Sequence, residues 1–128
     1  MRDWLTKVQP MPRQRVELPY SREFSPEELR ALARGLLPED FDDRWVGLLR
    51  EGSIDFHRSW TGYHIHHLPL ERGPGVAGAV ATKLVVNRDP RQYRNTDPQR
   101  DLEQVEWLLR WMLSGERHPP PWPLHQAG

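Results

Sequence analysis

The chain has 128 residues, enough for one domain with its own core and not for a second. Eighteen basic and eighteen acidic residues cancel, which removes the electrostatic case for general nucleic-acid binding, and the absence of cysteine excludes disulfides and thiolate zinc sites. No apolar run is long enough for a membrane span and the first residues lack the apolar core of a signal peptide, so no membrane contact and a cytoplasmic location are expected.

Mean hydropathy is −0.80, so the six tryptophans matter as large contributors to a core or an interface. Residues 1–24 read as an N-terminal arm in which Pro10 and Pro12 interrupt any helix, with a short strand from Gln14 to Tyr20 ended by Pro19. Ser25-Pro26-Glu27-Glu28 is a helix start: a capping serine, a proline suited to the first turn and a glutamate that completes a capping box. Leu29, Leu32, Ala33, Leu36 and Leu37 follow at helical spacing until Pro38.

Arg44 to Arg50 and Ser53 to Trp60 read as a hairpin about Glu51-Gly52, and Thr61-Gly62 leads into a third strand from Tyr63 to Glu71. Arg72-Gly73-Pro74-Gly75 is a loop, and Val76 to Asn87 is a fourth strand. After a polar connection, Thr96 or Asp97 caps a second helix with Pro98 in its first turn and Gly115 at its end. Its leucines and Trp107 and Trp111 are read as core. Residues 116–128 read as a Pro-rich, polyproline-like tail of the kind an SH3-like partner takes, though Pro-rich termini are common without one. The expected architecture is α+β: one domain over residues 25–115, a four-stranded antiparallel meander flanked by an N-terminal and a C-terminal helix. The helices cover one sheet face and leave the other open.

Two groups of residues carry candidate chemistry. His57, His64, His66 and His67 offer imidazoles on neighbouring strands, with His64 and His66 on one face. No acidic residue stands at a recognisable ligand spacing, so they are read as ordinary polar residues, with no metal and no cofactor assigned. The second group centres on Arg58. Alternation with Ile54 and Phe56 turns Arg58 inward, where a guanidinium needs a carboxylate or an anionic ligand. Arg58, Ser59, Trp60, Thr61 and Tyr63, joined by Asn87, Arg88, Asp89 and Tyr93, would supply guanidiniums, hydroxyls, an amide, a carboxylate and aromatic faces. Such groups hold a phosphorylated ribonucleotide. The competing reading is an Arg58–Asp89 ion pair that ties the sheet to the last helix. No Gly-rich phosphate loop, nucleophile elbow or paired catalytic carboxylates are present, so enzymatic activity is left open.

The stretches Phe56-His57-Arg58-Ser59-Trp60-Thr61-Gly62 and Asn87-Arg88-Asp89-Pro90, with Gln92-Tyr93 and Thr96-Asp97, resemble an uncharacterised small bacterial domain. That domain occurs alone or beside ADP-ribose-processing proteins such as macrodomains and ADP-ribosylglycohydrolases. The resemblance covers roughly residues 44–113 and implies a ligand of the ADP-ribose class, with no catalytic residue to carry over. The alternative from the residues themselves is a structural or protein-interaction module, with a homo-oligomer left open.

Overall fold

The structure, a computed structural model, describes residues 8–37, 44–72 and 77–115. In chain order its elements are β1 (Arg15–Phe24), α1 (Pro26–Leu32), β2 (Trp45–Arg50), β3 (Ser53–Arg58), β4 (His64–Glu71), β5 (Ala79–Asn87) and α2 (Pro98–Ser114). The strands form one antiparallel sheet in the order β1-β5-β4-β3-β2. The class is α+β as expected, but the sheet has five strands and not four.

The additional strand is β1, which pairs with β5 from Arg15 opposite Asn87 to Phe24 opposite Ala79. Val16, Leu18, Tyr20 and Phe24 keep the period of two and turn towards the helices, packing into or against the core. Pro19 does not end the strand. It lies on an edge, where no donor is required of it, and the register shifts directly after it.

Both helices lie over the same sheet face. The helix side carries Ile54 and Phe56 from β3, Trp45 from β2, Leu84 and Val86 from β5, and the core closes with Val105, Leu108, Leu109 and Met112 of α2. The capping box at Ser25 forms as read, and Asp97 and Gly115 bound α2. The first helix is shorter than its leucine spacing suggests. It stops at Leu32, Gly35 turns the chain at φ +76, and Leu36 leaves the helix to exchange two 2.8 Å backbone hydrogen bonds with Gly47. Among the described residues no helix is long and apolar enough to cross a membrane. The expectations for Pro38, for residues 73–76 and for the Pro-rich tail fall outside the described residues.

One irregularity decides where the histidines go. Phe56 pairs with His66 and His57 pairs with His64, so Ile65 is an extra residue in β4. The bulge separates two residues that simple alternation places together. His66 turns to the helix side, where its Nε2 lies 2.7 Å from Gln104 Oε1 of α2. His64 and His67 turn to the opposite side, with Asp55 and His57 of β3. Burial pulls the His66 imidazole down to about 4, so it is a neutral core group that donates to the Gln104 carbonyl oxygen.

Candidate functional site

The helix-side row Ile54, Phe56, Arg58 ends in a guanidinium at the last residue of β3. A cleft lies between this strand end, the connection before α2 and the first turns of α2. The cleft has a volume of about 620 Å³. Its floor and wall come from the β3–β4 turn (Arg58, Ser59, Trp60, Thr61, Tyr63), and the facing side from Tyr93, Arg94 and Asn95. Arg44, Gln92, Arg100 and Gln104 complete the lining.

Arg58 sits between two rings, 4.5 Å from the centroid of Trp45 and 5.9 Å from that of Tyr93. Burial pulls its guanidinium down to about 10; the Tyr93 hydroxyl opposes that shift and the neighbouring Arg44 adds to it. It therefore stays charged at neutral pH. Among the described residues no carboxylate reaches Arg58, and the Arg58–Asp89 ion pair is not formed: Asp89 binds Arg91 instead, at 2.9 Å and 3.1 Å. The main chain around Arg58 is pinned by its own turn, with Arg58 N–H donating to Tyr63 O (2.9 Å) and Gly62 N–H to Arg58 O (2.8 Å). Gly62 has φ +79, a conformation that suits glycine and lets the chain double back below the cleft.

Six of the nine residues singled out from the sequence line this cleft: Arg58, Ser59, Trp60, Thr61, Tyr63 and Tyr93. The other three build its frame. Asn87 donates to His64 O and Gln92 Oε1, both at 2.9 Å, and accepts from Asp89 N–H at 2.8 Å. Asp89 holds Arg91, whose guanidinium and backbone N–H keep the Asp89 carboxyl below the usual carboxylate range. Arg88 is paired with Asp101 of α2, which is fully buried and also accepts from Tyr93 Oη (2.9 Å) and Asn95 Nδ2 (3.0 Å). This network fixes the Tyr93 ring against the cleft, and burial, followed by the Asp101 carboxylate, pushes the Tyr93 hydroxyl pKa up.

Sequence reasoning did not select Arg44, Arg94, Asn95, Arg100 or Gln104 as site residues, and Gln92 entered only as a neighbour of Tyr93. Arg100 and Gln104 stand four residues apart at the start of α2, the spacing of one helix face, but nothing local reveals that this turn overhangs a strand end. The cleft lining is cationic. Four arginines contribute to it, and among the described lining residues there is no Asp, Glu or His that would act as a base. The arrangement can bind an anion and stack a planar group on Trp60, the large hydrophobic residue that stands 61% exposed. Comparison with family models, with curated proteins and with solved structures finds no match to this chain.

Proposed function

We propose that the cleft binds a phosphate-bearing, nucleotide-like ligand of the ADP-ribose class. The observation that carries this reading is Arg58: a charged guanidinium held between aromatic rings, with no carboxylate partner among the described residues, facing a cleft lined by three further arginines. A buried cation is costly unless an anion completes it. Bidentate Arg–phosphate contacts would do so, while Trp60 or Tyr63 stacks a base and the Asn95 and Gln92 amides meet ribose hydroxyls. The volume of about 620 Å³ falls within the roughly 300–1,000 Å³ of small-molecule sites. The ADP-ribose class, as opposed to phosphates in general, rests on the resemblance of the 56–62 and 87–97 stretches.

The test is a thermal-shift and calorimetric panel of ADP-ribose, NAD, AMP and ATP, with ribose as the control that lacks phosphate. A ligand present at about a hundred times its Kd adds about 2.7 kcal/mol, a rise of several degrees for a domain of this size. ADP-ribose should give the largest rise and ribose none. If no nucleotide shifts the transition and light scattering reports an oligomer, the interaction-module reading takes its place.

A further inference from the structure

The geometry points to a divalent transition-metal site on the sheet face opposite the helices, built by Asp55, His64 and His67. Three ligand atoms, one from each residue, lie within 4.8 Å of one another. They come from adjacent strands, where Asp55 pairs directly with His67 and the bulge at Ile65 brings His64 onto the same face. This supplies the carboxylate that sequence spacing alone does not reveal.

Within the cluster one imidazole is hydrogen-bonded to the carboxylate, and the other stands at the same oxygen with its nitrogen left without a hydrogen bond of good geometry. His67 Nδ1 lies 2.6 Å from Asp55 Oδ1, and His64 Nε2 lies 2.8 Å from that same oxygen. The His64 approach is off the hydrogen-bond direction, so Nε2 is buried beside the carboxylate without a hydrogen-bond partner. Both imidazoles therefore converge on one oxygen while its twin is held from outside, by Ser53 Oγ at 2.7 Å and Arg50 Nε at 3.5 Å. Oriented outer partners of this kind are what a ligating carboxylate needs.

His57 is not one of the three ligands, but it lines the hollow beside them and gives a second indication. The residue is 2% exposed, and its ring stacks on His64 at 4.3 Å. Its Nδ1 lies 3.0 Å from Gly62 O, which can only accept, so Nδ1 carries the proton and Nε2 presents its lone pair. That Nε2 is buried and has no hydrogen-bond partner. A histidine with Nδ1–H on a backbone carbonyl and a bare Nε2 is oriented as a metal-ligating histidine is. It lines the same hollow of about 370 Å³ as Asp55, His64 and His67. Access exists through His67, whose side chain is 34% exposed.

Two imidazoles and one carboxylate suit zinc in a four-coordinate site with one open position, and the same donor set accepts iron(II) or cobalt(II). Tetrahedral bonds of about 2.0–2.1 Å place ligand atoms about 3.3 Å apart. His64 and His67 would thus draw back slightly from the oxygen they now share.

The experiment uses the full chain without a tag, dialysed against a chelator. Zinc is titrated in competition with a chromophoric chelator, and cobalt(II) is followed by visible absorption. One equivalent of zinc should bind with a Kd below about 1 μM, and cobalt should give the intense bands of a four-coordinate ion. His67→Ala, at a partly exposed position, should fold as the parent does by circular dichroism and lose zinc affinity by at least about 100-fold. Asp55→Asn should lose at least as much. Unchanged affinity in folded His67→Ala, less than about a tenth of an equivalent of zinc bound, or a weak six-coordinate cobalt spectrum would each overturn the site. These readouts use no nucleotide, so their failure leaves the cleft proposal standing, and the reverse also holds.

Discussion

Arg58 and Arg88 carry the same guanidinium into different surroundings. Arg88 closes an ion pair with Asp101, which is wholly buried beneath Tyr93 and Asn95. Arg58 rests on Trp45 and Tyr93 with no carboxylate among the described residues. Removing each charge should therefore have opposite consequences. Arg88→Met strands Asp101 and should lower stability by about 3–5 kcal/mol, and Asp101→Asn added to it should recover part of that loss. Arg58→Met keeps an apolar side chain against the Trp45 ring and relieves an uncompensated cation, so the free protein should change by less than about 1 kcal/mol. The same variant should lose the thermal response to ADP-ribose. Urea unfolding of both variants checks this, and an Arg58→Met loss as large as that of Arg88→Met would contradict the cleft proposal.

At the scale of elements, the tight join between β1 and β5 gives a second prediction. A Cβ on Gly78 would meet Phe24 O at 1.8 Å, a backbone atom that cannot rotate away. Phe24 is fully buried and anchors β1 to the core. Gly78→Ala should thus part the two strands and cost about 3 kcal/mol, seen as a lower urea midpoint. At Gly52 there is open space but φ is +84, so Gly52→Ala should cost only about 1–2 kcal/mol, from backbone strain alone. Equal losses at the two positions would show that the β1–β5 join is not as close as described. Most elements were legible from local signals, because caps, hairpin turns and period-two alternation act over a few residues. The capping box at Ser25 and the Asp97 and Gly115 boundaries are of that kind. β1 showed its alternation too, but whether Pro19 ends a strand depends on whether that strand lies at an edge, which only the assembled sheet decides. The bulge at Ile65 was illegible for the same reason. It is a relation between β3 and β4, and it alone moves His64 away from His66 and beside His67 and Asp55. The Arg58 end was read from alternation on one strand, whereas Arg44, Arg94 and Arg100 converge there from other parts of the chain.

At the scale of the whole molecule, the two proposed sites sit back to back on one hairpin. Arg58 faces the helix side, and Asp55 and His57 face the other. They meet at Gly62, whose N–H donates to Arg58 O and whose carbonyl accepts from His57 Nδ1 and, at 2.8 Å, from Gln9 N–H. The sheet between them is packed with Ile54, Phe56 and Leu84, all fully buried, and coupling between sites is carried by elements that have two discrete arrangements. Amide chemical shifts in a nitrogen-15 labelled chain should therefore separate the sites. ADP-ribose should perturb residues 58–63 and 92–95 and the first turn of α2, and zinc should perturb residues 53–57 and 64–67, with Gly62 responding to both. The thermal gains from the two ligands should then add except for the coupling carried through the shared Gly62, about 0.5 kcal/mol or more. If zinc moves Arg94 and Asn95 as far as it moves His67, the hairpin is a coupled element and the two faces are one site.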